Sequence, residues 1–269
     1  MINLRRLTLH ALVLSCVAML GCGDRANVVE PDGSGEGVAI AASRSSSRSS
    51  RAANPSELNE GDGAHLIFMR SEEKLARDVY LTLSGMYPEQ PVFYRIATTA
   101  EQRHTDKILN MLLKFAVDDP EPATLPAVLP PVDQIGVFEN PYFAVYFSDK
   151  FSLLKSKAEV SLLEALKVGA LIEELDMKDI NYCNGVVYDV FGFPAPPPAY
   201  CGLTVTEVRP LQNTLGHLLA GSENHLCAFV RQIGPLSESC YDAQYLTQQE
   251  VWDIIDAQCP RVTDYVCTP

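Results

Sequence analysis

The sequence predicts an all-α protein: a four-helix bundle with a long connection between its second and third helices and a short helix near its C-terminal end. Apolar residues recur at alternating steps of three and four along four stretches of roughly 20 to 25 residues each. Segments rich in proline or glycine separate these stretches. No Asn-Gly or Asp-Gly turn lies between alternating strands, so a sheet is not indicated. Four amphipathic helices of this length can pack around one core.

The composition excludes several classes of protein. The 269-residue chain is 47% apolar and 20% charged, which is enough to bury a core and excludes wholesale disorder. Its formal net charge of −13 makes a nucleic acid or an anionic membrane surface an unsuitable partner. Beyond the N-terminus no apolar run reaches about 18 residues, which excludes a polytopic membrane protein.

Residues 1–22 resemble the signal peptide of a bacterial lipoprotein. Arg5 and Arg6 precede a mainly apolar stretch, residues 7–20. Residues 19–22 (MLGC) are similar to a lipobox, whose cysteine carries the lipid; an ordinary cleaved signal peptide is the alternative. We therefore expect an extracytoplasmic protein, held on a bacterial membrane in the periplasm or at the cell surface through a lipid on Cys22. Without that lipid the protein would be secreted.

The chain then divides into a tether and a folded part. Residues 23–63 are rich in Ser, Arg, Gly and Asn and predict a disordered tether, so the helical domain is expected over residues 64–269. Six cysteines lie in the C-terminal third, and an exported chain meets an oxidising compartment. The sequence predicts up to three disulfides that brace this end, with the pairing open apart from a Cys183–Cys201 bridge that would close loop 181–203.

The first two helices are predicted from apolar residues that recur along one helix face, which is called a stripe below. The first begins near Asp62, a suitable N-cap, and ends near Gly85. Pro91 can open the second helix, after which the proline-rich residues 120–131 form a loop and residues 140–141 (NP) start a short helical piece. The two stripes consist of Leu66, Met69, Glu73, Ala76, Tyr80 and Leu83, and of Ala97, Glu101, His104, Ile108, Met111 and Phe115.

Capping signatures mark the remaining helices. Ser161 and Glu164 form a capping-box pattern for the third helix, and the patterns at residues 204–207 and 247–250 open the fourth helix and a last short one. Residues 181–203 are predicted to be a loop. The two stripes consist of Leu162, Leu166, Gly169, Glu173, Asp176 and Ile180, and of Leu211, Leu215, Leu218, Ser222, His225 and Phe229.

Each stripe is interrupted near its middle by side chains that can bind a metal ion. They are Glu73 on the first helix, Glu101 with His104 on the second, Glu173 on the third and His225 on the fourth. Buried carboxylates without partners are costly, and three in one core repel one another. A pair of divalent cations would remove that cost. The pattern therefore predicts a dinuclear metal site.

The ligand spacing is typical of a di-iron carboxylate site, with one departure. Such a site takes one Glu from each of two helices and a Glu-x-x-His motif from each of the other two, and Glu101 and His104 form one such motif. Ser222 stands where the second motif has its Glu. The sixth ligand stays open among Asp176, which is three residues after Glu173, Glu223, and a water held by Ser222. Stripe geometry favours Glu73 and Glu173 over the adjacent glutamates at 72 and 174.

These residues resemble a ferritin-like protein of an uncharacterised bacterial and archaeal group, domain of unknown function family 2202. The resemblance covers about residues 64–255, interrupted by the cysteine-bearing loop at 181–203. It is carried by residues 68–80 (FMRSEEKLARDVY), 100–104 (AEQRH), 165–174 (ALKVGALIEE) and 221–226 (GSENHL). The resemblance implies a four-helix bundle, a dinuclear iron site, and chemistry on dioxygen or peroxide, without supplying a substrate.

Two functions of different classes follow. The first is an extracytoplasmic di-iron oxidase, peroxidase or ferroxidase, in which Tyr80 is a candidate electron donor or hydrogen-bond donor near the metal. The second is a non-catalytic helical lipoprotein that binds a partner through its cysteine-rich end. An iron and manganese pair, or zinc without redox chemistry, would fit the same ligands. A lipid tether disfavours assembly into a cage, whereas a homodimer remains compatible with it.

Overall fold

The computed structural model describes residues 57–194 and 200–269. The expected signal peptide, Cys22 and residues 23–56 of the expected tether lie outside these ranges. Within them the chain forms eight α-helices, and a π-helical segment, Ile96–Glu101, joins the second helix to the third. The helices are α1 (Glu60–Met86), α2 (Pro91–Arg95), α3 (Gln102–Lys114), α4 (Ala144–Ala158), α5 (Leu162–Asn181), α6 (Gly185–Phe191), α7 (Arg209–Ile233) and α8 (Gln248–Gln258).

The prediction of an all-α protein is confirmed over the described residues, where the only extended pairing is an isolated bridge between Tyr241 and Val266. Helix α5 packs most extensively against α7, and α1 packs against α3. Helix α4 lies in the long connection between α3 and α5 and packs on α1 and α5. No helix in the described ranges has the length and apolar character needed to cross a membrane.

The close approach of α5 and α7 depends on a residue without a side chain. A Cβ atom at Gly169 of α5 would lie 2.4 Å from the ring of Phe229 on α7. That ring also packs against Tyr80 of α1, with 5.3 Å between the ring centroids. Gly169 therefore lets an aromatic cluster tie three helices together just beside the polar residues of the stripes.

Two of the four predicted N-caps are confirmed and two are wrong. Ser161 caps α5, and Thr247 forms a complete capping box at α8. Helix α1 starts earlier than predicted, because Asn59 rather than Asp62 provides the capping oxygen. Helix α7 begins only at Arg209. The Thr204 hydroxyl donates instead to the Asn181 carbonyl at 2.8 Å, which ties residues 204–206 to the end of α5.

Two further predictions are only partly right. One was that the second helix is a single α-helix, and the other was that residues 181–203 form a loop. The second predicted helix begins at Pro91 but contains the π-helical segment in its interior. The predicted loop contains α6, whose first turn is capped by the Asn184 side chain and which Gly192 ends with positive φ. This seven-residue helix was too short for its apolar pattern to stand out between the two cysteines.

Three disulfides brace the C-terminal part, as the even number of cysteines predicted. They join Cys183 to Cys201, Cys227 to Cys259, and Cys240 to Cys267. The first closes the segment that contains α6, and the second fastens α7 to the residue that follows α8. Disulfides persist in oxidising compartments, so these bonds point to an extracytoplasmic location.

A buried carboxylate holds the C-terminal segment on the helices. Glu174 of α5 is fully buried, and it accepts hydrogen bonds from the Tyr241 hydroxyl at 2.5 Å and from the backbone amides of Gln244 at 2.9 Å, Tyr245 at 2.6 Å and Leu246 at 2.9 Å. These four donors satisfy the carboxylate and fix the chain just before α8. Glu174 is therefore a structural residue.

Glu174→Gln should lower the free energy of unfolding by about 2 kcal/mol or more, because each hydrogen bond to a charged acceptor is worth about 1.5 to 3 kcal/mol. Urea denaturation with the disulfides intact measures the change. Glu207→Gln, on an exposed residue, is the matched control and should alter stability by less than about 0.5 kcal/mol. Equal stability of the two variants would contradict the structural role.

Candidate metal centre

Five side chains from five helical segments meet in the core. Glu73 comes from the middle of α1, Glu101 from the last residue of the π-helical segment, His104 from the first turn of α3, Glu173 from α5 and His225 from α7. The three carboxylates are at most 2% exposed, whereas the side chains of His104 and His225 are 8% and 12% exposed. The predicted ligands of the dinuclear site are therefore brought to one place.

Glu101 lies at the centre of this cluster. Its Oε2 atom is 3.2 Å from Nδ1 of His104, and its Oε1 atom is 2.9 Å from Nδ1 of His225. Outer carboxylates flank the imidazoles, with Glu73 3.2 Å from the Nδ1 atom of His104 and Glu173 3.3 Å from that of His225. The arrangement is two Glu-His pairs on either side of one shared carboxylate.

The cluster divides into two sets of three donors. Glu73, Glu101 and His104 offer ligand atoms within 4.8 Å of one another, and so do Glu101, Glu173 and His225. Both Glu73 oxygens, Glu101 Oε1 and the two Nδ1 atoms are buried and have no hydrogen-bond partner among the described residues. Buried polar atoms without partners are costly, and a metal ion in each set would satisfy them. The residues present therefore fit a pair of metal ions.

The π-helical segment explains how Glu101 reaches this position. A π turn inserts an extra residue into an α-helix and shifts the side chains that follow it. The hydroxyls of Thr98 and Thr99 donate to the carbonyls of Tyr94 at 2.8 Å and Arg95 at 2.5 Å. These bonds occupy backbone acceptors where the regular ladder changes. Apolar spacing alone predicted a continuous α-helix, and no recognised sequence signal marked the π turn.

The charges of the five groups are strongly coupled. Burial raises the pKa of Glu73 to about 7, partly offset by His104. Burial also raises the pKa of Glu101, but the two imidazoles outweigh it and hold that pKa below the usual range. Although burial lowers the pKa of His225, the Glu173 and Glu101 carboxylates raise it to about 10, and Glu101 and Glu73 likewise raise that of His104. Without metal, protons take the place of cations between these groups.

Tyr80 contacts the cluster from α1. Its hydroxyl donates to Oε1 of Glu173 at 2.5 Å and lies 3.1 Å from the Gly169 carbonyl. Burial, together with the Glu173 carboxylate, raises the pKa of Tyr80 well above its usual value, so the hydroxyl keeps its proton. Tyr80 thus orients one carboxylate of the second donor set, leaving the other oxygen of Glu173 directed at His225.

The structure distinguishes between the candidates for the sixth ligand. Asp176 is 4% exposed beside the cluster, where one carboxylate oxygen accepts from the Ser222 hydroxyl at 2.5 Å and the other has no partner among the described residues. Glu223 lies outside the cluster, because its carboxylate accepts from the Gln258 side chain at 2.8 Å. The sequence had left a water held by Ser222 as one option. In the structure the Ser222 hydroxyl binds the Asp176 carboxylate instead.

The adjacent glutamates have separate surroundings. Glu174 anchors the C-terminal segment, while Glu72 faces Asp179 on the other side of α1. The choice of Glu73 and Glu173 therefore agrees with where the side chains lie. Glu72 and Asp179 form an acidic pair that sequence reasoning missed, because neither residue lies on the stripe that faces the dinuclear cluster.

Comparisons with known proteins find uncharacterised relatives of this chain. An uncharacterized protein domain (DUF2202) matches residues 62–187, a range that contains four of the five clustered donors. The chain is 34% identical over 204 residues to the uncharacterized protein MJ0754 of Methanocaldococcus jannaschii, covering 76% of this chain and 91% of that protein. The crystal structure of hypothetical protein MJ0754 from Methanococcus jannaschii superposes with a TM-score of 0.56 at 33% identity, covering 74% of this chain and 94% of that one.

The imidazole of His104 depends on a neighbouring glycine. A Cβ atom at Gly221 of α7 would lie 2.6 Å from Cε1 and Nε2 of His104, so Gly221→Ala must displace the ring from Glu73 and Glu101. Zn²⁺ affinity, measured by competition with a chromophoric chelator, should fall about tenfold or more. Gly216→Ala on the same helix, where nothing lies within 4 Å, should leave the affinity unchanged. Equal affinities in both variants would show that His104 is not a ligand.

Proposed function

We propose that this chain, which belongs to the DUF2202 family, is an exported ferritin-like protein that binds a dinuclear iron centre and carries out oxidase, peroxidase or ferroxidase chemistry on dioxygen or peroxide. The single observation that carries the proposal is the position of Glu101 between His104 and His225, with one further glutamate behind each imidazole. One shared carboxylate between two equivalent donor sets is what a pair of neighbouring cations requires.

The chemistry of the donors favours iron. Imidazole and carboxylate together suit Fe(II), and their set of three glutamates and two histidines resembles the ligands of the di-iron carboxylate bundles. In the described residues, all six cysteines are joined in disulfides and none offers a thiolate. Asp176, which follows Glu173 by three residues on α5 and whose orientation Ser222 fixes, is the proposed sixth ligand.

Bound iron would supply the electrons that reduce dioxygen or peroxide. The chain itself contributes an enclosed core in which the ligands are held before the metal arrives. Leu218 and Phe229, which lie on the same face of α7 as His225, are fully buried. A dry, preorganised cavity strengthens every charge interaction inside it and limits side reactions with solvent.

Tyr80 has a defined place in this proposal. Its hydroxyl is buried, protonated and bonded directly to Glu173, so it can stabilise the charge of that carboxylate and pass a proton or an electron toward the cluster. The Phe229 ring packs on its face and keeps the phenol in this position. We assign Tyr80 a positioning role toward Glu173 and propose it as the internal electron donor.

The disulfides support an extracytoplasmic location for the domain. The three disulfides suit an oxidising compartment. We propose that a lipid on Cys22, a residue outside the described ranges, holds the domain at a bacterial membrane through the serine- and arginine-rich segment that follows.

Anaerobic loading of the disulfide-intact protein with Fe(II), followed by metal analysis and exposure to oxygen, tests the proposal. Two irons per chain and an oxidation that is faster than that of free Fe(II) are expected. Glu101→Ala should lose both irons, because it removes the carboxylate that the two donor sets share. Glu223→Gln, whose carboxylate pairs with Gln258 outside the cluster, is the matched control and should bind two irons.

Each failure of this experiment has a distinct meaning. Zinc retained after purification, with no oxidation of added Fe(II), would indicate a structural zinc site instead of redox chemistry. Equal iron binding by Glu101→Ala and the unaltered protein would remove the dinuclear centre from the proposal altogether.

Metal binding should release protons. Because the pKa of His225 is raised to about 10 and that of His104 well above its usual value, both imidazoles carry protons at pH 7 before metal binds. Ligation needs neutral imidazoles and ionised carboxylates, so the two imidazoles should release two protons per chain and Glu73, whose pKa is raised to about 7, should add to that number. Calorimetric titration with Zn²⁺ in buffers of different ionisation enthalpy counts them. Affinity should rise as the pH increases from 6 to 9, and a proton count near zero would contradict ligation by these histidines.

A further inference from the structure

A pocket between α1, α4 and α5 lies beside the dinuclear cluster but contains none of its five ligands. Three carboxylates face it: Glu72 from α1, and Asp176 and Asp179 from α5. Helix α4 supplies its outer wall. The remaining lining side chains are mainly apolar, namely Leu75, Ala76, Tyr146, Phe147, Leu154, Ile172 and Leu175, with Lys150 as the only cationic one.

The carboxylates of this pocket are buried and incompletely satisfied. Glu72 is 8% exposed, and its Oε2 atom has no hydrogen-bond partner among the described residues. The Oδ1 atom of Asp176 is also buried and has no hydrogen-bond partner among the described residues. Buried carboxylate oxygens without donors are costly unless a positive ligand joins them. Two such oxygens on the lining of one pocket therefore point to a cation.

The contact between Glu72 and Asp179 supports the same conclusion. Their carboxyl groups lie within hydrogen-bond reach of each other. Two such groups stay in contact only when a proton or a cation lies between them. Lys150 acts on Asp179 only from a distance: its ammonium lies over the Tyr146 ring, 5.4 Å from the ring centroid, and it forms no ion pair with either carboxylate among the described residues.

The pocket leads to the dinuclear cluster. Asp176 is both a lining residue and a neighbour of the ligands, since it follows Glu173 by one helical turn and its second oxygen is held by Ser222 in the bundle core. Glu72 directly precedes Glu73 on α1. A cation held at Glu72 and Asp179 is thus separated from the dinuclear cluster by Asp176.

We propose that this pocket binds a divalent metal ion on its way into the dinuclear centre, with Glu72 and Asp179 holding it near the mouth and Asp176 receiving it at the inner end. The inference rests on the proposed function, because it assigns the path by which that site is filled. Apolar walls with carboxylates between them attract a cation and strip part of its water before it reaches the buried ligands.

Stopped-flow loading of the metal-free, disulfide-intact protein with Co²⁺ tests the proposal, since bound Co²⁺ absorbs in the visible range. Glu72→Gln removes one charge from the mouth and should slow loading about tenfold, because a cleft of one charge sign raises association rates by about 10-fold or more. The final absorbance and the stoichiometry of two ions should not change. Glu159→Gln removes the same charge from an exposed position at the end of α4 and should load at the normal rate.

A second variant tests the path without altering its charges. Leu175→Trp fills the pocket from a partly exposed position and should also slow loading while leaving the final Co²⁺ spectrum unchanged. Normal loading rates in both Glu72→Gln and Leu175→Trp would overturn the proposed path while leaving the dinuclear site intact. Failure of the unaltered protein to bind Co²⁺ would instead refute the proposed function, and the path with it.

Discussion

The structure depends on one electrostatic constraint, the burial of three glutamates and two histidines around a common centre in an apolar core. Each carboxylate alone would cost too much to bury, and each imidazole is stable there only because carboxylates flank it. The groups therefore support one another only while all five helical segments are in place. Core positions that leucine could fill are given to ionisable side chains, which is a cost in stability that a bound metal would offset.

Neighbouring glutamates on this framework have different functions because a helix turns by about 100° per residue. On α5, Glu173 faces the cluster while Glu174 binds the amides that precede α8. On α1, Glu73 faces the cluster while Glu72 faces a pocket behind α4. The same two helices thus connect the clustered donors to the disulfide-braced C-terminal segment on one side and to an acidic pocket on the other.

The central ligand lies where the backbone departs from regular geometry. Glu101 ends a π-helical segment, and the two threonines before it use their hydroxyls on carbonyls of the preceding turn. A π turn is less favourable than an α turn and persists when the rest of the structure favours it. Here its effect is to place one carboxylate within reach of two imidazoles on different helices, which is the geometry on which the proposed chemistry rests.

Local patterns in the sequence were sufficient for the helical class, the caps at Ser161 and Thr247, and the five clustered donors, because burial on one helix face repeats every three to four residues. The pairing of Cys227 with Cys259, the start of α7 at Arg209, and the separation of Asp176 from Glu223 were decided by the tertiary structure. These features depend on contacts between residues distant in the chain. A helical stripe shows which face is buried, whereas the partners of that face follow only from how the helices pack.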